Sequence, residues 1–324
     1  MQTIVLNACL MLLSTVSVLG LAEGALRFLN PFEDRPTVAE LDSNELPPKD
    51  HDALLGEILR KSEEKSLIYE LKPNLDTRFL HARLRTNEEG FKGDLCTNPK
   101  RDTEVRILGI GDSLMFGWGI PDGKEYLALL KQSLQSEIRN SDWLVTNTAV
   151  PGYNTQLEVE TLATKGLNCK PDIVMLGFLE SNDFELPNFV EVPLTGSLLG
   201  GLRLRQFVGR RFEKLTKWNF RQSLDRLKTL SEKYSFEVVV YLHEFVTKST
   251  LQLFKSRNFR TVYAWPELTD RLGTRDVESY KHSRFTLSAD DPHPSQLGHQ
   301  LAAKILLADL RKNSAKLAKY RAKK

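Results

Sequence analysis

The sequence predicts an α/β fold, in which a parallel sheet of about five strands is covered by helices on both faces. Short apolar runs alternate along the chain with segments whose apolar residues recur every three or four positions, and this alternation is typical of parallel sheets. The runs are apolar almost throughout, as expected for strands that are buried on both faces. The five predicted strands lie at 105–110, 143–147, 171–177, 236–242 and 261–265.

The segments between these strands predict the covering helices. The first is indicated by apolar residues from Tyr126 to Ile138. The second follows the loop 148–154 and carries leucines at five-residue steps, and the last begins at Pro294 and runs through Leu310. Three layers, α/β/α, follow from this order.

The composition is that of an ordinary globular protein. The chain has 324 residues, 41% hydrophobic and 27% charged, which is enough to bury a large core. The formal net charge of +3 is too small to indicate a nucleic-acid partner. We therefore expect one large domain with extensions and no nucleic acid among its ligands.

The N-terminal segment is hydrophobic. Residues 3–22 are mostly apolar and carry no charge before Glu23. A run of about 20 such residues is long enough to cross a bilayer. An uncleaved anchor and a signal peptide cleaved after residue 22 both fit, whereas a buried helix fits less well. We expect a hydrophobic helix within residues 1–30 that acts as a signal peptide or a membrane anchor, with the membrane as its partner.

The rest of the chain divides by composition. Residues 31–65 contain four prolines among many charges and predict a tether. The main domain is expected at 66–312, with an insertion at about 184–219 and a basic tail at 313–324. Inside the insertion, the basic amphipathic run 202–218 can cover an active site, lie on a membrane surface, or form a helix with a solvated basic face.

A candidate nucleophile follows the first strand. Gly111-Asp112-Ser113 ends that strand, so Ser113 lies at the carboxyl edge of the sheet, where open α/β sheets bind their ligands. Serine needs a general base, and the base needs an orienting group. Asp290 and His293 follow the last strand, and their spacing lets the carboxylate fold back onto Nδ1 while Nε2 faces the serine. The sequence therefore predicts a Ser113–His293–Asp290 triad.

Donors for a developing oxyanion can come from the same edge. The candidates are the backbone N–H of Ser113, that of Gly152 after the second strand, and the side-chain amide of Asn182 after the third. Each lies just beyond the end of a different strand, so one crevice can collect all three.

These residues resemble the SGNH hydrolase superfamily, the GDSL-type esterases and lipases. The family's four blocks occur in order, and the lead-in at 86–93 is similar to that of bacterial members with one N-terminal hydrophobic segment. The blocks are Gly111-Asp112-Ser113-Leu114, Gly152, Asn182-Asp183 and Asp290-x-x-His293. One position departs from the pattern, because Glu180 stands where the third block has glycine.

The resemblance implies a flavodoxin-like sheet and ester hydrolysis through an acyl-serine intermediate. By this resemblance, Ser113 is expected to be the nucleophile, His293 the general base and Asp290 the residue that orients it. Ser113, Gly152 and Asn182 are expected to form the oxyanion hole. The implied chemistry requires no metal or other cofactor. Small-molecule and carbohydrate esters are the expected substrates.

Other functions fit the same residues less directly. An acyltransferase or deacetylase acting on O-acetyl groups of an extracellular polysaccharide would use the same set with a different acceptor. A metal-dependent hydrolase on Asp290, Asp291, His293 and His299 is disfavoured, because no H-E-x-x-H or comparable ligand set occurs. A catalytically silent binding module is disfavoured because every predicted catalytic residue is present.

Two features bear on location. The resemblance favours an extracytoplasmic, periplasmic domain, against a slight charge bias from Arg27 and Arg35 towards a cytoplasmic one. Cys96 and Cys169 can form a disulfide if the domain is exported, but two free thiols are the favoured interpretation of the sequence.

Overall fold

A computed structural model describes most of the chain from residue 45 onwards. The described residues are 11, 14–22, 24, 38–41, 45–64, 66–96, 99–139, 141–185, 187, 189 and 213–318. Most of the predicted insertion, the N-terminal part of the hydrophobic segment and the end of the basic tail lie outside them. Within these ranges, no helix combines the length and the apolar character needed to cross a membrane.

The strands of the described residues form a central sheet and two small N-terminal sheets. In chain order they are β1 (Asp52–Ala53), β2 (Leu59–Lys61), β3 (Tyr69–Leu71), β4 (Asp76–Phe79), β5 (Ala82–Arg85), β6 (Lys92–Gly93), β7 (Glu104–Ile110), β8 (Asp142–Asn147), β9 (Ile173–Phe178), β10 (Glu237–Leu242) and β11 (Arg260–Tyr263).

The central sheet has the order β11-β10-β9-β7-β8-β6. Strands β7 to β11 are parallel, and the short β6 pairs antiparallel with β8 at one edge. Numbered from β7, the parallel strands follow the order 2-1-3-4-5, which is that of flavodoxin-like sheets. The predicted parallel sheet of about five strands is confirmed.

Helices follow the strands in alternation. In chain order they are α1 (Leu55–Ile58), α2 (Ser113–Phe116), α3 (Tyr126–Glu137), α4 (Thr155–Thr164), α5 (Glu180–Asp183), α6 (Glu213–Tyr234), α7 (Lys248–Lys255), α8 (Trp265–Leu272), α9 (Val277–Lys281) and α10 (Gln296–Asn313).

The sheet separates two hydrophobic clusters, because its side chains point alternately to its two faces. On β9, Ile173 and Met175 join the cluster that contains the buried residues of α3 and α10. Val174 and Leu176 join the opposite cluster, which contains the buried residues of α6. Helices therefore cover both faces, and the sheet is the middle of three layers.

The stretch expected to be a tether is in part built into the domain. Ile58 and Leu59 are fully buried and belong to the same cluster as α3 and α10. Strand β2 pairs antiparallel with β3, while β1, β4 and β5 form a three-stranded sheet. The short apolar run Leu54-Leu-Gly-Glu-Ile-Leu59 lies between charged segments. Its residues Leu55–Ile58 form a short helix, and Leu59 begins the strand that pairs with β3.

Cys96 and Cys169 form a disulfide. This differs from the interpretation as two free thiols. The bond joins the segment after β6 to the short 3₁₀ helix Gly166–Cys169 that precedes β9, so it links the lead-in to the central sheet. Both cysteines are buried, at 3% exposure each.

Candidate active site

Ser113 lies at the point where β7 gives way to α2. The carboxylate of Asp112 accepts a hydrogen bond from the N–H of Leu114 at 2.9 Å and so caps this short helix. The preceding Gly111 has no room for a side chain, since a Cβ there would lie 2.7 Å from the Cβ of Met115. A tight strand-to-helix turn thus presents the Ser113 hydroxyl at the carboxyl edge of the sheet.

His293 lies beside this serine. Its Nε2 is 2.8 Å from Ser113 Oγ, and its Nδ1 is 2.6 Å from Oδ1 of Asp291. With Asp291 ionised, Nδ1 carries the proton and Nε2 is free to accept one from the serine hydroxyl. Ser113, His293 and Asp291 are therefore connected by hydrogen-bond distances from end to end.

The carboxylate that contacts His293 is that of Asp291, which corrects the predicted contact between Asp290 and His293. Asp291 Oδ1 also accepts the backbone N–H of His293 at 3.1 Å, so the carboxylate folds back over its own loop in an Asx-turn. The side chain of Asp290 is exposed. Both aspartates are visible in the sequence, but their spacing from His293 does not show which of them contacts its imidazole ring.

Local contacts keep Asp291 ionised. Burial alone would raise the pKa of this carboxyl, but hydrogen bonds from the ring and backbone of His293 and from the indole of Trp118 outweigh burial. The net result is a pKa below the ordinary aspartate value. Asp291 is thus an anion in the pH range where a histidine base works.

Asn182 lies in the same crevice and its amide is fully engaged. Nδ2 donates to Asp112 Oδ2 at 2.8 Å and to the carbonyl oxygen of Tyr153 at 2.7 Å. These two bonds use both hydrogens of the amide, which fixes the side chain at the crevice wall.

Glu180, the departure from the family pattern, has its carboxylate turned towards α7. It accepts hydrogen bonds from the N–H and hydroxyl of Thr247 at 2.6 and 2.8 Å and from the hydroxyl of Thr250 at 2.8 Å. It therefore ties the segment after β9 to the start of α7, and among the described residues it is not one that lines the crevice.

Gly152 occupies the third position of a turn between Val150 and Tyr153. The N–H of Tyr153 donates to the carbonyl of Val150 at 3.2 Å, and Gly152 has a φ of +78°. Pro151 precedes it, which is the sequence preference of a type II turn. In such a turn the N–H of the third residue does not donate to another residue of the turn. Its place in an oxyanion hole stays a prediction.

The crevice in front of Ser113 has a volume of about 290 Å³. Glu185 and Glu244 stand on its wall, and in the part of the chain that the structure describes no lysine or arginine lines it. Burial raises the pKa of Glu244 above its ordinary value. The lining residues are Asp112, Ser113, Leu114, Leu179, Ser181, Asn182, Glu185, Glu244, Pro292 and His293.

Carboxyl groups also lie beneath the crevice. Burial raises the pKa of Asp112 to about 6, although the N–H of Leu114 and the amide of Asn182 donate to it. The pKa values of Asp183 and Glu158 are also well above their ordinary values, because both groups are buried and lie near other acids. The hydroxyl of Thr155 and the N–H of Leu179 donate to Asp183, which holds α5 against α4.

The apolar residues near Ser113 mostly belong to the core. Met115, Phe116 and Tyr153 are almost fully buried, and the Tyr153 hydroxyl donates to the backbone carbonyl of Tyr69. His243 and His299 are buried too, and burial lowers the pKa of each to about 3. These two histidines are therefore neutral packing residues beside Tyr126.

The known proteins that are similar to this chain are solved structures. No protein-family model and no curated protein matches the chain. TesA is 16% identical with a TM-score of 0.42, and the match covers 64% of this chain and 98% of that one. The esterase EstA from Pseudoalteromonas sp. is 15% identical with a TM-score of 0.44, and the match covers 64% of this chain and 97% of EstA. A catalytic mutant of Axe2, an acetylxylan esterase from Geobacillus stearothermophilus, is 17% identical with a TM-score of 0.43. That match covers 64% of this chain and 94% of the Axe2 chain. The chemistry of this chain is therefore inferred from its own side chains.

Proposed function

We propose that this protein is a serine hydrolase that cleaves carboxylic esters through an acyl-serine intermediate. The observation that carries the proposal is the continuous set of contacts from Ser113 Oγ to His293 Nε2, at 2.8 Å, and from His293 Nδ1 to Asp291, at 2.6 Å. A serine needs this combination of base and orienting carboxylate to become a nucleophile near neutral pH.

The proposed cycle has two halves. In the first, His293 Nε2 takes the hydroxyl proton of Ser113 as Oγ bonds to the ester carbon, and the carbonyl oxygen becomes an oxyanion. His293 then gives that proton to the leaving alkoxide as the C–O bond breaks, which leaves an acyl-serine. In the second half, water replaces the alcohol, and the same proton transfers release the acid and restore the serine.

The backbone N–H groups of Ser113 and Gly152 and the amide of Asn182 are the proposed oxyanion donors. For Asn182 to contribute, one of its hydrogens has to turn from Asp112 or Tyr153 towards the substrate. The acceptor that keeps its hydrogen bond, Asp112 or Tyr153, then anchors the amide within reach of the carbonyl oxygen.

The crevice supports a short acyl group as substrate. A volume of about 290 Å³ is at the lower end of the range for small-molecule sites, which is roughly 300–1,000 Å³. An acetyl ester of a small alcohol or of a carbohydrate matches this size better than a long-chain lipid does. An acyltransferase or polysaccharide deacetylase would form the same intermediate, so product analysis with and without sugar acceptors separates these activities.

Labelling with a fluorophosphonate probe tests the proposal. The wild-type protein should be labelled and should hydrolyse 4-nitrophenyl acetate, and Ser113→Ala should lose both properties. Ser181→Ala is the matched control, because Ser181 also lines the crevice but has no histidine contact. Labelling of Ser113→Ala at the wild-type rate would refute the assignment.

We also propose that the domain works outside the cytoplasm. The Cys96–Cys169 disulfide supports this, since such bonds persist in oxidising compartments. The prediction that residues 1–30 contain a signal peptide or membrane anchor agrees with it. A C-terminal alkaline phosphatase fusion should be active, and activity of a cytoplasm-only reporter at that position would overturn the proposal.

A further inference from the structure

Trp118 contacts both members of the Asp291–His293 pair. Its indole Nε1 donates to Asp291 Oδ2 at 3.2 Å, and its ring stacks on the His293 imidazole with centroids 5.2 Å apart and planes 19° apart. The two oxygens of Asp291 therefore have separate donors, His293 on Oδ1 and Trp118 on Oδ2.

These contacts restrict the two rotations that would break the pair. A carboxylate held through both oxygens cannot turn about its Cβ–Cγ bond without losing a hydrogen bond. A stacked imidazole cannot tilt without moving the larger indole. Among the described residues, Trp118 is not one that lines the crevice, so it lies behind the histidine and away from the substrate.

The N-terminal sheet holds Trp118 in turn. Phe79, at the end of β4, meets the Trp118 ring edge to face at 5.0 Å with an interplanar angle of 84°. The same phenylalanine also contacts Phe116 of α2 at 6.2 Å. At 4% exposure, Phe79 is itself packed tightly and restricts the movement of the indole.

We propose that Trp118 is a positioning residue that holds Asp291 and His293 in register with Ser113, with Phe79 of the N-terminal sheet as its support. The inference rests on the proposed function, because positioning affects catalysis only if His293 is the base.

Steady-state kinetics of two variants tests the assignment. Trp118→Phe keeps a stacked ring but loses the N–H, and Trp118→Leu loses both. We expect kcat on 4-nitrophenyl acetate to fall about tenfold for phenylalanine and further for leucine, since a hydrogen bond to a charged group is removed. KM should stay within about twofold, because the indole is behind the histidine.

Trp143→Phe is the matched control. The Trp143 indole also donates one hydrogen bond, to the carbonyl of Ile138 at 3.1 Å, and the residue is 1% exposed near the amino end of β8. This variant makes the same chemical change away from the pair and should keep kcat. An equal loss of kcat in both variants would overturn the proposal, since the effect would then be general destabilisation.

A double-mutant cycle shows whether Trp118 acts through Asp291. In an Asp291→Asn background, Trp118→Phe should cost less than threefold in kcat, because its partner has already changed. If the cost in that background equals the cost in the wild type, Trp118 does not act through Asp291 and the proposal fails.

A measurement without turnover separates this inference from the proposed function. The downfield ¹H NMR signal of the His293 Nδ1 proton should be sharp in the wild type and in Trp143→Phe. It should broaden in Trp118→Phe, as the pair loosens and the proton exchanges with water. A wild-type protein that hydrolyses no ester would refute the proposed function, and an unchanged signal in Trp118→Phe would refute the role of Trp118.

Discussion

The amide of Asn182 donates to the carboxylate of Asp112 at 2.8 Å, although the two residues follow different strands of the sheet. Asp112 is 1% exposed and caps α2, while Asn182 lies on α5 at the crevice wall. A buried acid therefore links the helix that carries Ser113 to the segment that carries the candidate oxyanion donor. Its protonation state is expected to matter for the stability of the domain.

The first prediction concerns the pH dependence of stability. Because burial raises the pKa of Asp112 from 3.8 to about 6, its protonated form stabilises the fold fully below pH 3.8. This contribution is lost as the pH rises through about 6. Asp112→Asn cannot ionise, so from pH 4 to pH 7 the wild type should lose about 2 kcal/mol of unfolding free energy relative to the variant.

Urea denaturation at several pH values measures this difference. Asp270→Asn, at an exposed position of α8, is the control and should run parallel to the wild type. A constant offset between wild type and Asp112→Asn over the same range would show that Asp112 does not titrate there.

The second prediction separates the two neighbouring aspartates. Asp291→Asn removes the carboxylate that faces His293 Nδ1 and should lower kcat by about 10³–10⁴, as expected when the orienting acid of a triad is lost. Asp290→Asn changes an exposed side chain and should leave kcat within twofold. Both variants should be assayed on 4-nitrophenyl acetate after their melting temperatures have been compared. A larger loss of kcat in Asp290→Asn than in Asp291→Asn would show that Asp290 orients His293.

The third prediction concerns the disulfide. The Cys96–Cys169 bond closes a loop with a sequence separation of 73 residues. On the chain-entropy model, its loss should lower the free energy of unfolding by about 4 kcal/mol and the melting temperature by roughly 10 °C. Replacing both cysteines by alanine and comparing thermal unfolding with that of the wild type checks this. Mass spectrometry of the non-reduced protein supplies the control, since a free thiol at either position would remove the basis of the prediction.

The fourth prediction concerns substrate charge. Glu185 and Glu244 line the crevice, so an anionic ester should be a poorer substrate than a neutral one of the same length. We expect kcat/KM for mono-4-nitrophenyl succinate to be about tenfold lower than for 4-nitrophenyl butyrate at low ionic strength. The gap should narrow in the Glu185→Gln/Glu244→Gln variant and at high salt. Equal values for the two esters in the wild type would contradict an electrostatic role for these residues.

The central sheet was predictable because each of its parallel strands is buried on both faces. Apolar runs such as 105–110 reveal such strands without knowledge of their neighbours. The N-terminal strands lack such runs: the partly apolar segment from Leu67 to Phe91 indicates short strands but not which of them pair. Strand β4, Asp76–Phe79, has two charged residues in four and is a strand only because β1 and β5 lie on either side of it.

The sequence predicts where the candidate site lies, but it does not predict which aspartate contacts His293. The order of strands places Ser113 and His293 at one edge, whatever the details of the loops. The choice between Asp290 and Asp291 depends on an Asx-turn within a single loop, and neighbouring aspartates look alike in sequence. The contact of Trp118 with Asp291 depends on the tertiary fold, because it joins residues 173 positions apart in the chain.

The burial of Ile58 and Leu59 has a practical consequence for how this protein can be divided. Both side chains belong to the cluster that covers one face of the central sheet, and Phe79 connects the same N-terminal region to Trp118. A recombinant fragment that begins at residue 66 would carry the triad residues but lack the strand that pairs with β3. The smallest fragment expected to fold therefore begins before β1.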